Sequence, residues 1–170
     1  TGDEGSAVMA FGNLLTTTLY VRIAPDAVLI RSSNSDAVWN DEALLALRAG
    51  PKPSVLAAGA AARLAVAQTP GATLCEPFDH PRCLISDYAA AEAFLKHALL
   101  SYLKLKRVNR WLMPSPHMLL HACPSPAQAV GALTGVEHRA LRELGQRCGA
   151  RSVELMASAA LSEAQIRALM

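Results

Sequence analysis

The residues from Leu19 to Arg31 have the outline of a phosphate-binding β-hairpin, with two apolar runs around a tight turn. Such a turn grips phosphate through backbone N–H groups and needs glycine so that the chain can approach closely. It also needs small hydroxyl or amide side chains, and usually a carboxylate to manage the metal. Here the turn offers Ala24, Pro25, Asp26 and Ala27. Pro25 has no N–H to donate, and Arg22 stands where an acid would be expected. Arg22, Ala24, Pro25, Asp26 and Ala27 therefore mark a degenerate phosphate loop, and no cofactor is expected.

Other chemistry-bearing residues give weaker signals. His117 and His121 are four apart on an expected strand. At ~3.3 Å per residue they lie roughly 13 Å apart, too far to share a zinc ion that sits ~2.1 Å from each ligand. His80 could cluster with Cys75 and Cys83 in a loop, but spacing is its only support. Cys75, Cys83, Cys123 and Cys148 fit no zinc or redox spacing and read as reduced thiols of a cytosolic protein. No Ser/His/Asp or Cys/His arrangement stands out, and no metal site is expected. Lys104, Lys106, Arg107 and Arg110, with Trp111 and Leu112, form a basic and apolar patch. It reads either as a solvated helix C-terminus, where cations suit the helix dipole, or as a contact for a partner or an anionic lipid.

Composition bounds the possibilities. A chain of 170 residues that is 52% apolar suits one domain with a real core. A net charge of +2 and only 5% aromatic residues argue against a nucleic-acid surface. No apolar run reaches the roughly 18 residues that a bilayer span requires. Thr1 to Val8 read as a cloning scar or a disordered lead-in, and residues 9–170 as one domain.

The expected elements alternate between strand and helix. Thr18 to Ala24 and Ala27 to Ser33 form strands around the turn, and Ala37 to Asn40 and Ala43 to Arg48 form two more, before Gly50-Pro51-Lys52-Pro53 breaks the pattern. Val55 to Ala67 is alanine-rich and includes a helix, stopped by Thr69-Pro70-Gly71. Leu74 to Glu76 and Cys83 to Ile85 are short extended pieces. Ser86 or Asp87 caps a long helix to about Lys106, with Tyr88, Ala91, Phe94, Leu95, Ala98, Leu99 and Tyr102 at helical spacing. His117 to Cys123 is an apolar strand and Pro124 to Gly135 a loop. A helix follows from about Gly135 to Cys148, then a strand from Ser152 to Met156. A last helix runs from Ser162 to Leu169, opened by the capping box Ser162-x-x-Gln165.

Six phrases in this order resemble the N-terminal half of the rod-shape-determining bacterial actins, the MreB family. Val38-Trp39-Asn40-Asp41-Glu42 is similar to the family's Val-Leu-Asn-Glu-Pro, Thr69-Pro70-Gly71 to its Arg-Thr-Pro-Gly, and Ile85-Ser86-Asp87-Tyr88 to its Ile-Ala-Asp-Phe. Pro114-Ser115-Pro116 resembles its Arg-Pro-Ser-Pro, Val136-Glu137-His138-Arg139-Ala140 its Val-Glu-Arg-Arg-Ala, and Gly149-Ala150-Arg151-Ser152-Val153 its Gly-Ala-Arg-Glu-Val. The likeness runs from Leu19 to Leu169. It implies an α/β, ribonuclease-H-like actin domain: a mixed sheet with flanking helices, lacking the second actin domain.

The departures shape the functional expectation. Where the family carries Asp-Leu-Gly-Thr-Ala-Asn, this chain has Arg22 to Ala27, and no Asp-x-Gly-Gly-Gly-Thr follows Met156. The resemblance therefore implies an ATP site with one altered wall and the other wall missing. Glu137 falls on the family glutamate implicated in polarising the attacking water. Thr134-x-x-Glu137 is also a capping box, and the cap is the stronger reading. Phe11, Leu14 and Leu15 stand where the family carries a short apolar membrane-touching segment, which alone gives weak, reversible binding; an N-terminal segment tucked onto the core is the stronger reading. The face that would meet a second domain must be polar or covered. The apolar tail along Ala160, Ile166 and Leu169 covers it within the chain or carries a dimer contact. The expected function is a non-catalytic, cytoplasmic interaction or scaffolding module of the cytoskeleton or cell envelope, with weak contact at the inner membrane face. Its partner would be a second copy, a full-length actin homologue or another protein. The alternative is a nucleotide-binding or ATPase subunit that completes its site with a second chain.

Overall fold

Two short apolar runs, Leu19 to Ile23 and Ala27 to Ile30, produce β1 (Thr18–Ile23) and β2 (Ala27–Ser32), joined by the turn at Ala24–Asp26. The structure is a computed structural model and describes residues 17–50, 54–108, 114–126, 128, 133–158 and 161–170. β3 (Ser35–Glu42) continues the meander. Two later strands, β7 (His117–Ala122) and β8 (Ser152–Ala157), join on the other side of β1. The sheet order is β3-β2-β1-β7-β8, with β1, β2 and β3 antiparallel and β1, β7 and β8 parallel. This is the ribonuclease-H-type order.

A parallel pair needs a long crossover, and here the crossovers carry helices. α2 (Tyr88–Leu105) precedes β7, and α3 (Gly135–Arg147) lies between β7 and β8. The Asp87 carboxylate caps α2 by accepting from the Ala90 N–H at 3.0 Å. The helical stripe buries Ala91, Phe94, Leu95, Ala98, Leu99 and Tyr102. It packs on Val21, Ile23, Val28, Ile30, Met118 and Leu120, which form one face of the sheet. Each fully buried large apolar side chain contributes about 1.5–3 kcal/mol, so this face is the main source of stability.

The opposite face is mixed. Tyr20 and Leu119 bury against Ile166 of α4 (Glu163–Leu169), with Leu29, Met156, Leu161 and Met170 packed around them. The expected capping box at Ser162 and Gln165 is formed in both directions. Ile166 of the tail is buried within the chain, while Leu169 stays 46% exposed. Ala160 lies outside the described residues.

A smaller antiparallel sheet has the order β5-β4-β6, from β4 (Leu45–Arg48), β5 (Ser54–Ala58) and β6 (Ala72–Cys75). Two expectations change here. The alanine-rich stretch from Val55 does include a helix, α1 (Ala61–Gln68), but its first residues are strand. Pairing of Ala57 and Ala58 with Ala46 and Leu45 satisfies their backbone groups and overrides the helical preference of alanine. Cys83 to Ile85 is not a strand; Cys83 makes only an isolated bridge to His80.

Gly59 separates β5 from α1 at φ +72°. A Cβ there would fall 2.0 Å from the Asp41 carboxylate. Asp41 cannot swing away freely, because its Oδ1 accepts from the Glu42 N–H at 2.8 Å and the Ala60 N–H at 2.9 Å. Gly59→Ala is expected to cost about 2–4 kcal/mol, combining backbone strain with displaced hydrogen bonds. Gly71→Ala, also at positive φ but with nothing within 4 Å of its Cβ, should cost only about 1–2 kcal/mol of backbone strain. Urea unfolding of both variants checks this, and equal losses would show that the Asp41 contact is unimportant.

Candidate functional site

The turn between β1 and β2 is closed by its own backbone. The Ala24 N–H donates to the Ala27 carbonyl at 3.0 Å, and the Asp26 carbonyl accepts from the Ala43 N–H at 2.9 Å. The first bond spends the Ala24 N–H and Pro25 has none, so the turn offers fewer free donors than a glycine-rich loop. It opens on a cavity of about 580 Å³ whose lining includes Asp26, Asp41, Glu42, Glu76 and Asp79, with Arg63 as the cation. Arg63 is paired to Glu42 at 3.0 Å. Carboxylates in this number oppose a phosphate electrostatically. Among the described residues, no three His, Cys, Asp or Glu side chains converge to hold a metal ion.

Arg22 does not point into this turn. It lies on the mixed face of the sheet, opposite Leu29 and His121, with its Nε buried and without an acceptor among the described residues. Its charge acts on Tyr20, His121 and Cys123.

Glu137 is tied into the start of α3. Its Oε2 accepts from both the N–H and the hydroxyl of Thr134 at 2.8 Å, and its own N–H donates back to Thr134 Oγ1 at 3.2 Å. The cap reading describes this geometry.

The basic end of α2 divides. Lys106 Nζ donates to Ser32 Oγ at 3.0 Å and Asn34 Oδ1 at 2.7 Å and lies over the Tyr102 ring. Burial pulls its pKa down. Lys104 and Arg107 are exposed, beside Leu105 and Val108. Arg107 adopts φ +55° and ends the helix, its N–H donating to the Lys104 carbonyl. Arg110, Trp111, Leu112, Phe11, Leu14 and Leu15 lie outside the described residues.

Sequence reasoning missed a buried polar cluster at the end of β7. The Tyr20 hydroxyl donates to His121 Nδ1 at 2.6 Å. His121 Nε2 then carries the hydrogen, facing the Ser158 carbonyl at 3.2 Å and its hydroxyl at 3.0 Å, with Cys123 Sγ at 3.3 Å. Burial pushes Tyr20 up to about 12, pushes the Cys123 thiol up and pushes His121 down. All three groups are neutral at pH 7. A Cys–His pair in this state is a hydrogen-bonded clasp and not a thiolate nucleophile. Its sequence signal is an alternation that buries His121 and Tyr20 on one face, visible only once β1 and β7 are paired.

The other histidines separate. His117, at the far end of β7, bonds Ser152 Oγ at 2.7 Å and approaches Glu154 at 3.6 Å. His80 does meet Cys83, with Nδ1 3.3 Å from Sγ, but Cys75 packs against the core from β6. All four cysteines are free thiols. Gln128, which sequence reasoning also passed over, directs its amide at the carbonyls of Phe78, His80 and Cys83 and ties this loop to the one after β7.

The family model described as MreB/Mbl protein matches residues 19–166. The chain belongs to the MreB/Mbl family. It is 31% identical over 150 residues to the cell shape-determining protein MreB of Escherichia coli K12 and, equally, to that of Salmonella typhimurium LT2. The match takes in 86% of this chain, which spans about 40% of the length of these curated relatives. Among solved structures, MreB5 of Spiroplasma citri bound to ADP is similar with a TM-score of 0.62 at 23% identity, covering 84% of this chain and 38% of that one. A non-polymerising MamK mutant bound to AMPPNP follows with a TM-score of 0.58 at 13% identity, covering 84% and 41%. These likenesses establish the actin-like fold.

In this MreB/Mbl domain the histidine clasp makes a pH prediction. His121 lies below the ordinary histidine value of 6.5, through burial first and the Arg22 charge as well, with the Ser158 carbonyl acting the other way. The unfolded chain therefore takes up a proton that the folded chain resists, so stability is full above pH 6.5 and falls as the pH drops through it. Glu92 stays outside this window, since its hydrogen bond to Lys96 holds it below the ordinary 4.5. Urea midpoints are expected to fall between about pH 7 and pH 5, and His121→Gln should flatten that slope. An unchanged slope in the variant would remove His121 as its cause.

Proposed function

We propose that this chain is a non-catalytic actin-fold module of the bacterial cytoskeleton or of a cell-envelope assembly. It offers surfaces to protein partners or to further copies of an actin-like protein and does not turn over ATP. The observation that carries this reading is the β1–β2 turn. Its Ala24 N–H is spent on the Ala27 carbonyl, Pro25 has no N–H, and carboxylates line the cavity beside it. Phosphoryl transfer relies almost entirely on positioning and charge stabilisation of the phosphate, and this wall supplies neither. Glu137, the residue matching the family's water-polarising glutamate, is engaged in its cap.

Membership of the MreB/Mbl family supports the cytoskeletal assignment and favours self-association. Among the described residues no helix is long and apolar enough to cross a membrane. A cytoplasmic location with weak contact at the inner membrane face suits the exposed Lys104, Leu105 and Arg107. No role for nucleic acid is proposed.

A second reading has its own support. Two structures similar in fold, both MreB5 of Spiroplasma citri, hold ADP and AMPPNP. On that reading the chain binds nucleotide with a second chain supplying the rest of the site. Calorimetric titration of the 170-residue chain with magnesium–ATP separates the two. The expected result is no saturable heat up to about 1 mM, the upper range of ordinary substrate affinities, and phosphate release at background. Micromolar binding, or phosphate release lost in Glu137→Ala, favours the second reading and overturns the first. Light scattering over a concentration series is expected to show a mass rising above the 18.0 kDa monomer; a constant monomer mass would remove self-association.

A further inference from the structure

The mixed face of the main sheet ends in a polar cavity of about 410 Å³, between the β2–β3 hairpin turn and the last turn of α4. Arg31 and Arg167 line it. The Arg31 side chain is only 5% exposed, and its Nε has no acceptor among the described residues. Its ion-pair partner is Glu163, 3.6 Å away, with a side chain 76% exposed. That distance is too long for a hydrogen bond. A guanidinium presents five donors, and a buried cation left short of acceptors is costly.

The hairpin turn supplies matching groups. Ser33 Oγ accepts from the Thr18 N–H at 3.2 Å, and Ser35 Oγ accepts from the Ala37 N–H at 3.1 Å. Neither hydroxyl donates its own hydrogen to a described residue, and both serines line the cavity. Behind the turn, Lys106 holds Ser32 and Asn34 in place and adds a third positive charge. Asp36 is the acid in the lining.

We propose that this cavity binds a tetrahedral oxyanion of the phosphate class, held by the guanidinium groups of Arg31 and Arg167 and by the hydroxyls of Ser33 and Ser35. Planar forked guanidinium donors suit two oxygens of one phosphate. The anion displaces the long pair to Glu163. A lipid headgroup and a soluble phosphate ester present the same chemistry, and the site lies apart from the β1–β2 turn, at the other end of β2.

The test follows the thermal midpoint of the chain during titration with inorganic phosphate, against sodium chloride of matched ionic strength. Phosphate should raise the midpoint saturably beyond the chloride control. Arg31→Met and Arg167→Ala should each weaken the response about tenfold, the weight of one charge-assisted hydrogen bond. Arg167 is exposed, so its variant reads the site even if Arg31→Met fails to fold. Glu163→Gln should tighten binding about fivefold by removing a nearby like charge. Flotation with phosphatidylglycerol and phosphatidylcholine vesicles then identifies the source. Arg31-dependent binding to the anionic vesicles alone supports the site with a headgroup as its ligand. Vesicle binding indifferent to Arg31, with the phosphate response intact, supports the same site filled by a soluble phosphate. A phosphate response equal to that of chloride, or one retained in full by both arginine variants, overturns the proposal.

Discussion

Parallel pairing of β1 with β7 is the constraint on which the rest of the structure depends. It aligns Val21 with Leu120 and Tyr20 with Leu119. Because side chains alternate along a strand, that register sends one set of residues to each face. Val21, Ile23, Leu120 and Ala122 go to the face that α2 and α3 cover. Tyr20, Arg22, Leu119 and His121 go to the other. A slip of one residue would place Arg22 and His121 in the apolar core, so the register is strongly specified by the cost of burying those groups without partners.

The two faces divide the labour. The first is apolar and thick, built from long side chains at helical spacing on α2 against branched residues on the strands, and it needs nothing beyond its own packing. The second combines Tyr20, Leu119 and Ile166 with a histidine clasp and two arginines. Its polar groups are the ones that the clasp and the hairpin cavity draw upon. A face of this kind contributes less hydrophobic stability and more local chemistry.

Much of this was legible in the residues. The strand–helix order, the Asp87 cap, the capping boxes at Thr134 and Ser162 and the apolar stripe of α2 all follow from short-range patterns, because each depends on neighbours within four residues. The altered turn at Ala24–Ala27 was legible for the same reason. What escaped is long-range. β5 hides within an alanine-rich stretch whose local preference is helical, and only pairing with β4 makes it a strand. The clasp joins Tyr20 to His121 across 101 positions, so no spacing rule could propose it. Arg22 is adjacent to the turn in sequence, yet strand alternation carries its side chain to a different neighbourhood.

The arginines of the second face show why position within a sheet matters more than charge count. Arg22 and Arg31 stand on adjacent strands, and each has a buried Nε without an acceptor. Their surroundings differ. Arg22 faces Tyr20, His121 and Cys123, all neutral, and its charge adds to burial in holding protons off the histidine while partly offsetting the burial that raises the thiol. Arg31 faces an exposed carboxylate on α4 across 3.6 Å. Water screens that pair strongly from the Glu163 side, and such pairs contribute little. The two guanidinium groups therefore share a chemical type but not a role. One adds a smaller electrostatic effect to a closed cluster governed by burial, while the other lies at the wall of an open cavity. Alternation along β1 and β2 places both on one face, and the elements that reach that face decide what each can do.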